Sequence, residues 1–365
     1  GLIKEGEGTL LLSGVNTYQG NTQVNQGSLV LSVANAISQT NEVSIASEGI
    51  LDIGSGQQAI RSVQGSGMVN VSGGTLIIAN GEQPVEFNGR IAGLGMISSE
   101  GTRMLSLTGS GEFSGTFAVR SGTLQANGQF ANAAAIVHDG ATLQGTGTLG
   151  DLIVASGGVL RPGNSPGRMT VDNLFMNPGS KLIFEIGGPS AESQYDQIAV
   201  NNLAVLDGEI EVQLVDGYIP NANDVFDLVL FSSKSGNPSY IFPTPNGIPI
   251  LREQFTPSSL RLIANQFPPP PDGNENADPD QPDSDRGSIA GSGTGLAFMV
   301  SATNKLGEQV VLVSVNFDTE LENEFDAAEW FQQPPENLPI DPAALDETME
   351  LDMAFDAVLA DESLA

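Results

Sequence analysis

Apolar residues along this chain come in short runs, each opened by a Gly-Thr or Gly-Ser step and closed by a polar turn. Within Leu2–Ser32, Gly8-Thr9-Leu10-Leu11-Leu12-Ser13 predicts a short strand with a glycine where the backbone must turn. Gly27-Ser28-Leu29-Val30-Leu31-Ser32 repeats it one coil later. Between the two, the polar turn Asn16–Gly20 precedes an alternating strand at Thr22–Asn25. Each unit is too small to bury its apolar side alone and must lie on a neighbour. That is the physical meaning of a repeat at a spacing of roughly 20 residues.

The phrase recurs with drift at Gly49–Ile53, Gly74–Ile78, Gly122–Gln125, Gly147–Leu149, Gly158–Leu160 and Gly179–Phe184. A constant phrase on an irregular period fits a parallel β-helix, whose strands stay in register while the turns accept insertions. The i, i+3, i+4, i+7 pattern of a helical solenoid is absent before residue 318. Crossover preference makes the expected coil right-handed. Roughly nine coils over residues 1–190, at about 4.8 Å each, would span about 45 Å. The expected interior is Leu10, Leu12, Leu29, Leu31, Ile45, Leu51, Ile53, Val69, Val71, Leu76, Ile78, Leu105, Leu107, Leu124, Leu149, Ile153, Leu160, Val171, Leu182 and Phe184, with the interleaved Thr, Ser and Gln facing solvent.

The stretch LIKEGEGTLLLSGVNTYQGNTQVNQGSLVLS resembles the passenger-associated transport repeat, also called the autotransporter-associated β-strand repeat, of large secreted bacterial surface proteins. Two further blocks are similar to phrases near the end of such passengers. One is Leu160–Gly167 (LRPGNSPG) with Met169-Thr170-Val171; the other runs from Tyr195-Asp196-Gln197-Ile198 through Leu206–Val212, Gly217–Pro220 and Asp224–Leu228. Together the blocks cover about residues 1–265. The resemblance implies a right-handed parallel β-helix that is secreted or held at the cell surface, and it implies no catalytic activity. It also implies contact with outer-membrane export machinery, and the other expected partner is a host or matrix surface ligand, protein or polysaccharide.

Four segments are expected. Residues 1–190 form the repeats. Residues 191–266 change character, with Glu209–Leu214 strictly alternating, Val225–Phe231 more apolar and the aromatics enriched; they are expected to be a C-terminal β cap or a small antiparallel sandwich covering an otherwise open strand edge. Residues 267–287, opening on four consecutive prolines at Pro268–Pro271, are a Pro/Asp-rich linker. Residues 288–365 are an acidic, partly disordered tail holding half of the chain's 44 acidic residues together with the linker. Its pattern predicts a β-hairpin from Leu296–Val300 and Gln309–Val315, and short helices at Asp318–Phe331 and Pro342–Ala360.

Charge and composition narrow the function. A net charge of −31 with 13 Lys and Arg excludes a nucleic-acid partner, which needs clustered cations. The absence of cysteine removes disulfides and thiolate chemistry. Gly1–Lys4 opens inside a repeat phrase without a basic, then apolar, leader, so a piece of a longer protein is expected. No run of 18 apolar residues and no series of alternating ten-residue strands is present, so this segment is not expected to enter a membrane directly.

No catalytic, cofactor or metal residue is expected. The single histidine, His138, reads as a turn residue without a matched base or nucleophile. Glu209 and Glu211 share a strand face but read as solvent-facing charge. Asp278, Asp280, Asp283 and Asp285 lack the spacing of a calcium loop, and Arg161–Gly167 lacks the Gly-Lys-Ser/Thr of a phosphate loop. The expected structural residues are Gly8, Gly27, Gly74, Gly122, Asn164 and Gly167 at coil turns and Tyr195, Asp196 and Phe226 in the cap. The leading functional expectation is a non-enzymatic passenger stalk acting as spacer or adhesin, its last coils promoting folding during export. A carbohydrate-active β-helix enzyme and a calcium-dependent matrix protein are the alternatives.

Overall fold

The computed structural model describes residues 1–39, 42–79, 83–244 and 250–265, and the regular structure among them is all strand. The expected linker and acidic tail, with their hairpin and helices, lie outside the described residues. No helix among the described residues is long and apolar enough to cross a membrane.

The strands stack into a parallel β-helix whose rungs assemble into two extended sheets of 15 and 14 strands. One ladder begins Thr22↔Val43↔Val63 and continues as Val85↔Leu105↔Leu124↔Leu143↔Leu160↔Leu182↔Ile210↔Tyr240. A second runs Gln58↔Leu76↔Ile97↔Phe117↔Ala135↔Leu152↔Leu174↔Ala204. The third face begins as Leu29↔Leu51↔Val69↔Ile91 and resumes as Phe130↔Leu149↔Val171↔Val200↔Phe231, with isolated bridges at Gly93–Phe113 and Ser110–Gln129 between the two parts. Successive rungs stay in register although their separation in sequence runs from 17 residues, Leu143 to Leu160, to 31, Val200 to Phe231. The turns absorb the difference, because a parallel rung fixes only which residues face inward and not how much chain lies between them.

Inward positions alternate along each strand and form one continuous apolar core. At its middle Phe113, Phe117 and Phe130 pack with centroid distances of 4.9 and 5.2 Å. The expected interior is buried with three exceptions. Leu10 and Leu12 are only half-buried, because their strand, Thr9–Leu12, has a neighbour on one side. Ile153 points outward, since Leu152 and Val154 hold the rungs opposite Ala135 and Val137. In Leu152-Ile153-Val154 all three residues are apolar, so the sequence carries no alternation to set the phase.

The expectation that interleaved Thr, Ser and Gln face solvent also fails at specific places. Thr22, Gln58, Ser98, Ser99, Ser106 and Ser180 are buried. Gln58 occupies an inward rung position and mimics a strand partner, its amide donating to the Ile37 carbonyl at 3.0 Å and accepting from the Ile37 N–H at 3.2 Å. Lys4 is likewise buried, with its ammonium capped by the carbonyls of Glu5, Gly6 and Gln26.

Parallel rungs continue past residue 190 through Gln197–Leu206 and Glu209–Leu214 to Val225–Ser235 and Ser239–Ile241. Val225–Ser235 is where the pairing changes sense. On one side it lies parallel to Gln197–Leu206, and on the other it pairs antiparallel with Ser259–Ala264, which in turn carries Leu251–Phe255. The antiparallel part is thus a hairpin added to one sheet, not a separate sandwich. Asp227 clamps it, accepting from Arg261 Nε and Nη2 at 2.9 Å each and from the Ser259 hydroxyl at 2.8 Å. Lys234 lies 3.8 Å from the Phe255 ring centroid, a contact that links Val225–Ser235 to Leu251–Phe255.

Candidate functional site

The best-formed depression on the described surface lies at the turn after strand Val159–Pro162, within the Arg161–Gly167 loop. Inward-facing Leu160 and Pro162 seat the strand on the core. Gly163, at φ 95°, then turns the chain away and exchanges two main-chain hydrogen bonds with Gly145, of 3.1 and 2.8 Å. After the cis Ser165–Pro166 bond, Gly167 brings the chain back to strand Arg168–Val171.

Asp196 holds this loop from beneath. Its carboxylate is 3% exposed; Oδ1 accepts the Gly167 N–H and Oδ2 the Glu185 N–H, both at 2.9 Å. Burial pushes its pKa up to about 7, against the lowering effect of those two N–H groups. Above it, the Ser165 hydroxyl donates to Glu185, and Arg161 Nη1 lies 3.6 Å from Glu185 Oε1. On the other flank Gln125 Nε2 donates to Asn164 Oδ1 at 3.0 Å, and Asn164 Nδ2 donates to Asn127 Oδ1 at 3.1 Å. Gln125, Gln144 and Arg161 occupy equivalent outward positions on successive rungs. The cleft is open to solvent, with a volume of about 170 Å³, and is lined in part by Ile183 and Pro162.

Two carboxylates therefore meet at the cleft, Glu185 and Asp196, which a scan of the repeat phrases does not find. They come from the strand Lys181–Ile186 and from the end of a long turn, so they share no place in the repeat. As an acid–base pair they are poorly disposed, because each oxygen of Asp196 is occupied by a main-chain donor. Gln125, Asn127 and Gln144 likewise carry no mark in the sequence alone. Their signal is positional, equal phase on successive rungs, and it becomes readable only once the register is known.

Asn164 and Gly167 thus sit in one loop, tied to Asp196. A side chain at Gly167 would lie 2.7 Å from Thr146 Cγ2 and 2.9 Å from the Gly163 Cα. Tyr195 and Phe226 stand edge to face at 5.4 Å beside this site, with Tyr218 against Phe226 at 6.4 Å. The remaining turn residues are dispersed along the stack. Gly27 and Gly122 have φ of 68° and 65°, and a Cβ on either, or on Gly74, would collide with carbonyls of the adjacent coil. Gly8 differs: its φ is not positive, and a Cβ there would meet no atom within 4 Å.

His138 is half-buried in the turn before Thr142–Gly145, where its carbonyl accepts the Ala141 N–H at 3.1 Å. Glu209 and Glu211 are half-buried rather than fully solvent-facing, and the Lys181 ammonium reaches them at 2.6 and 3.7 Å. Among the described residues no three His, Asp or Glu gather as metal ligands. The acidic stretch from Asp278 to Asp285 and the helix over 342–360 lie outside the described residues.

The fold therefore defines a solenoid of stacked parallel coils. Residues 2–31 and 100–126 match the passenger-associated-transport-repeat family. Over 198 residues the chain is 29% identical to the adhesin BmaC autotransporter of Brucella suis biovar 1 (strain 1330). That alignment takes in 54% of this chain and about 6% of the relative's length. The chain thus carries two segments that match passenger-associated-transport repeats, and over about half of its length it is similar to an autotransporter adhesin.

Proposed function

We propose that this segment is a non-enzymatic stalk of a cell-surface adhesin, rigid enough to hold an adhesive region away from the cell. The observation that supports it most is the sequence of parallel rungs from Thr22 to Tyr240, which builds length by stacking coils. The match to an adhesin autotransporter supports the adhesive role, with a host or matrix surface ligand as the partner in attachment.

The residues from 191 to 266 act as the cap of the stalk, and the Pro/Asp-rich linker from 267 and the acidic tail beyond it are separate segments. Antiparallel pairing by Ser259–Ala264 covers an edge of Val225–Ser235 that would otherwise present unpaired N–H and C=O groups. A covered end is a template on which further coils can add one at a time, so the cap promotes folding as the chain emerges through the outer-membrane export machinery. Gly27, Gly74 and Gly122 serve this stacking at coil turns, and Tyr195, Asp196 and Phe226 fix the last coils.

Two measurements test this. Beads coated with the full chain should attach to matrix-coated surfaces or host cells above the level of uncoated beads. Deleting residues 242–265 should slow refolding and open the Val225–Ser235 strand to protease. Absence of attachment rejects the adhesive role, and unchanged refolding and protection reject the folding role of the cap.

A further inference from the structure

We propose that the cleft over the Arg161–Gly167 loop binds a single uncharged sugar unit of a glycan. This deepens the adhesin reading by naming the chemical class of a ligand and where it sits.

The charge at the cleft is balanced. Arg161 faces Glu185 at 3.6 Å, so no net positive field draws a phosphate or sulfate. A cation finds one carboxylate there, since both oxygens of Asp196 already accept main-chain N–H groups. What remains is a set of amides, a hydroxyl and spare guanidinium N–H groups, donors and acceptors together, which suits an uncharged polyol.

The geometry favours a sugar ring over a smaller polyol. Gln125 and Gln144 stand on adjacent parallel rungs whose backbones are about 4.8 Å apart. That separation is close to the distance between equatorial hydroxyls on alternate ring carbons. Gln125 and Asn164 are already oriented by each other and by Asn127 and Ser106, so they are preorganised rather than free to collapse. Gln144 keeps its hydrogen-bonding capacity in reserve: its amide contacts only Met104 Sδ, at 3.9 Å, among the described residues. Ile183 and Pro162 line the floor of the cleft beneath these polar groups. The cleft, about 170 Å³ and open to solvent, is of a size to seat one ring while the rest of a glycan extends outward.

The test is saturation-transfer-difference NMR on the full chain with methyl glycosides of glucose, galactose, mannose and N-acetylglucosamine. At least one should give signals with a Kd on the order of 1 mM, weakened fivefold or more in Gln144→Ala and in Arg161→Gln. Circular dichroism identifies a variant that fails to fold, and the other variant then carries the test. N-acetyllactosamine and a bacterial O-polysaccharide repeat unit as further ligands separate a vertebrate-surface source from a bacterial one. The proposal is overturned if no glycoside binds at ~20 mM, or if signals are unchanged in a folded variant. Bead attachment that persists without any glycoside signal discards the cleft and leaves the adhesin reading standing. A glycoside signal lost in the variants, without bead attachment, does the reverse.

Discussion

Asp196 is the buried charge on which the loop and the last coils depend, and replacing it separates two effects that the structure predicts. Asp196→Ala removes the acceptor for the Gly167 and Glu185 N–H groups, both bonded at 2.9 Å. Each orphaned donor costs about 1–3 kcal/mol, so the substitution should destabilise by about 2–6 kcal/mol. Asp196→Asn keeps the shape and one acceptor and should cost about 1–2 kcal/mol. The second effect is a pH dependence. Burial raises the Asp196 pKa from 3.8 to about 7. Between those values the folded protein holds a proton that the unfolded chain has released. Stability from this group is therefore complete below pH 3.8 and falls as pH rises towards 7, by at most about 4 kcal/mol. Urea midpoints followed by circular dichroism for wild type and Asp196→Asn, at pH 5 and pH 8, read the difference and cancel the other carboxylates. The stability of wild type minus that of Asp196→Asn, taken with its sign, should be larger at pH 5 than at pH 8. Hydrogen exchange of the peptides containing Gly167 and Glu185 should rise in both variants. If that signed difference is the same at both pH values, or larger at pH 8, burial of a high-pKa carboxylate is the wrong account of this site.

Four other substitutions probe the stack. Gly122→Ala forces a side chain into φ 65° and into the adjacent coil's carbonyl, and should lower stability by about 1–3 kcal/mol, whereas Gly8→Ala, which meets nothing, should stay within about 0.5 kcal/mol; thermal midpoints compare them. Arg261→Gln breaks the bidentate clamp on Asp227, whose side chains are about a third exposed, and should cost about 1 kcal/mol and expose the 225–264 region to limited proteolysis. Arg261 holds the Asp227 carboxyl below its usual range, so the stability it adds is present above pH 3.8 and lost as pH falls below it, and the Arg261→Gln deficit should shrink in acid. Phe117→Ala, at the centre of the three-ring stack, should cost about 3–5 kcal/mol by urea denaturation.

The coil architecture was legible because glycine-opened apolar phrases repeat often enough to set the phase of each strand, and Leu29, Leu51, Val69, Leu124 and Leu160 all lie inside as that phase requires. Legibility failed where the phase was locally undetermined. Leu152-Ile153-Val154 gives no polar marker, and Gln58 takes an inward rung that its composition assigns to solvent, because its amide replaces main-chain partners. The cleft was invisible for a different reason. Asp196, Glu185 and Gly167 are brought together by a turn between Ile186 and Gln197 that has no counterpart in the repeat, and the amides of Gln125 and Gln144 align only through the register. Phrases reveal what stacks; convergence across coils depends on turn lengths that the phrases do not encode.

The central claim is that residues 22–241 form one continuous rigid ladder. Because the chain has no cysteine, spin labels can be placed cleanly at Gln23→Cys and Glu211→Cys, outward positions of the same ladder. Nine rung steps at about 4.8 Å place the two backbones about 43 Å apart. Double electron–electron resonance should give a narrow distribution near that value. A broad distribution, or one centred below about 30 Å, contradicts a continuous stack at the spacing of paired strands.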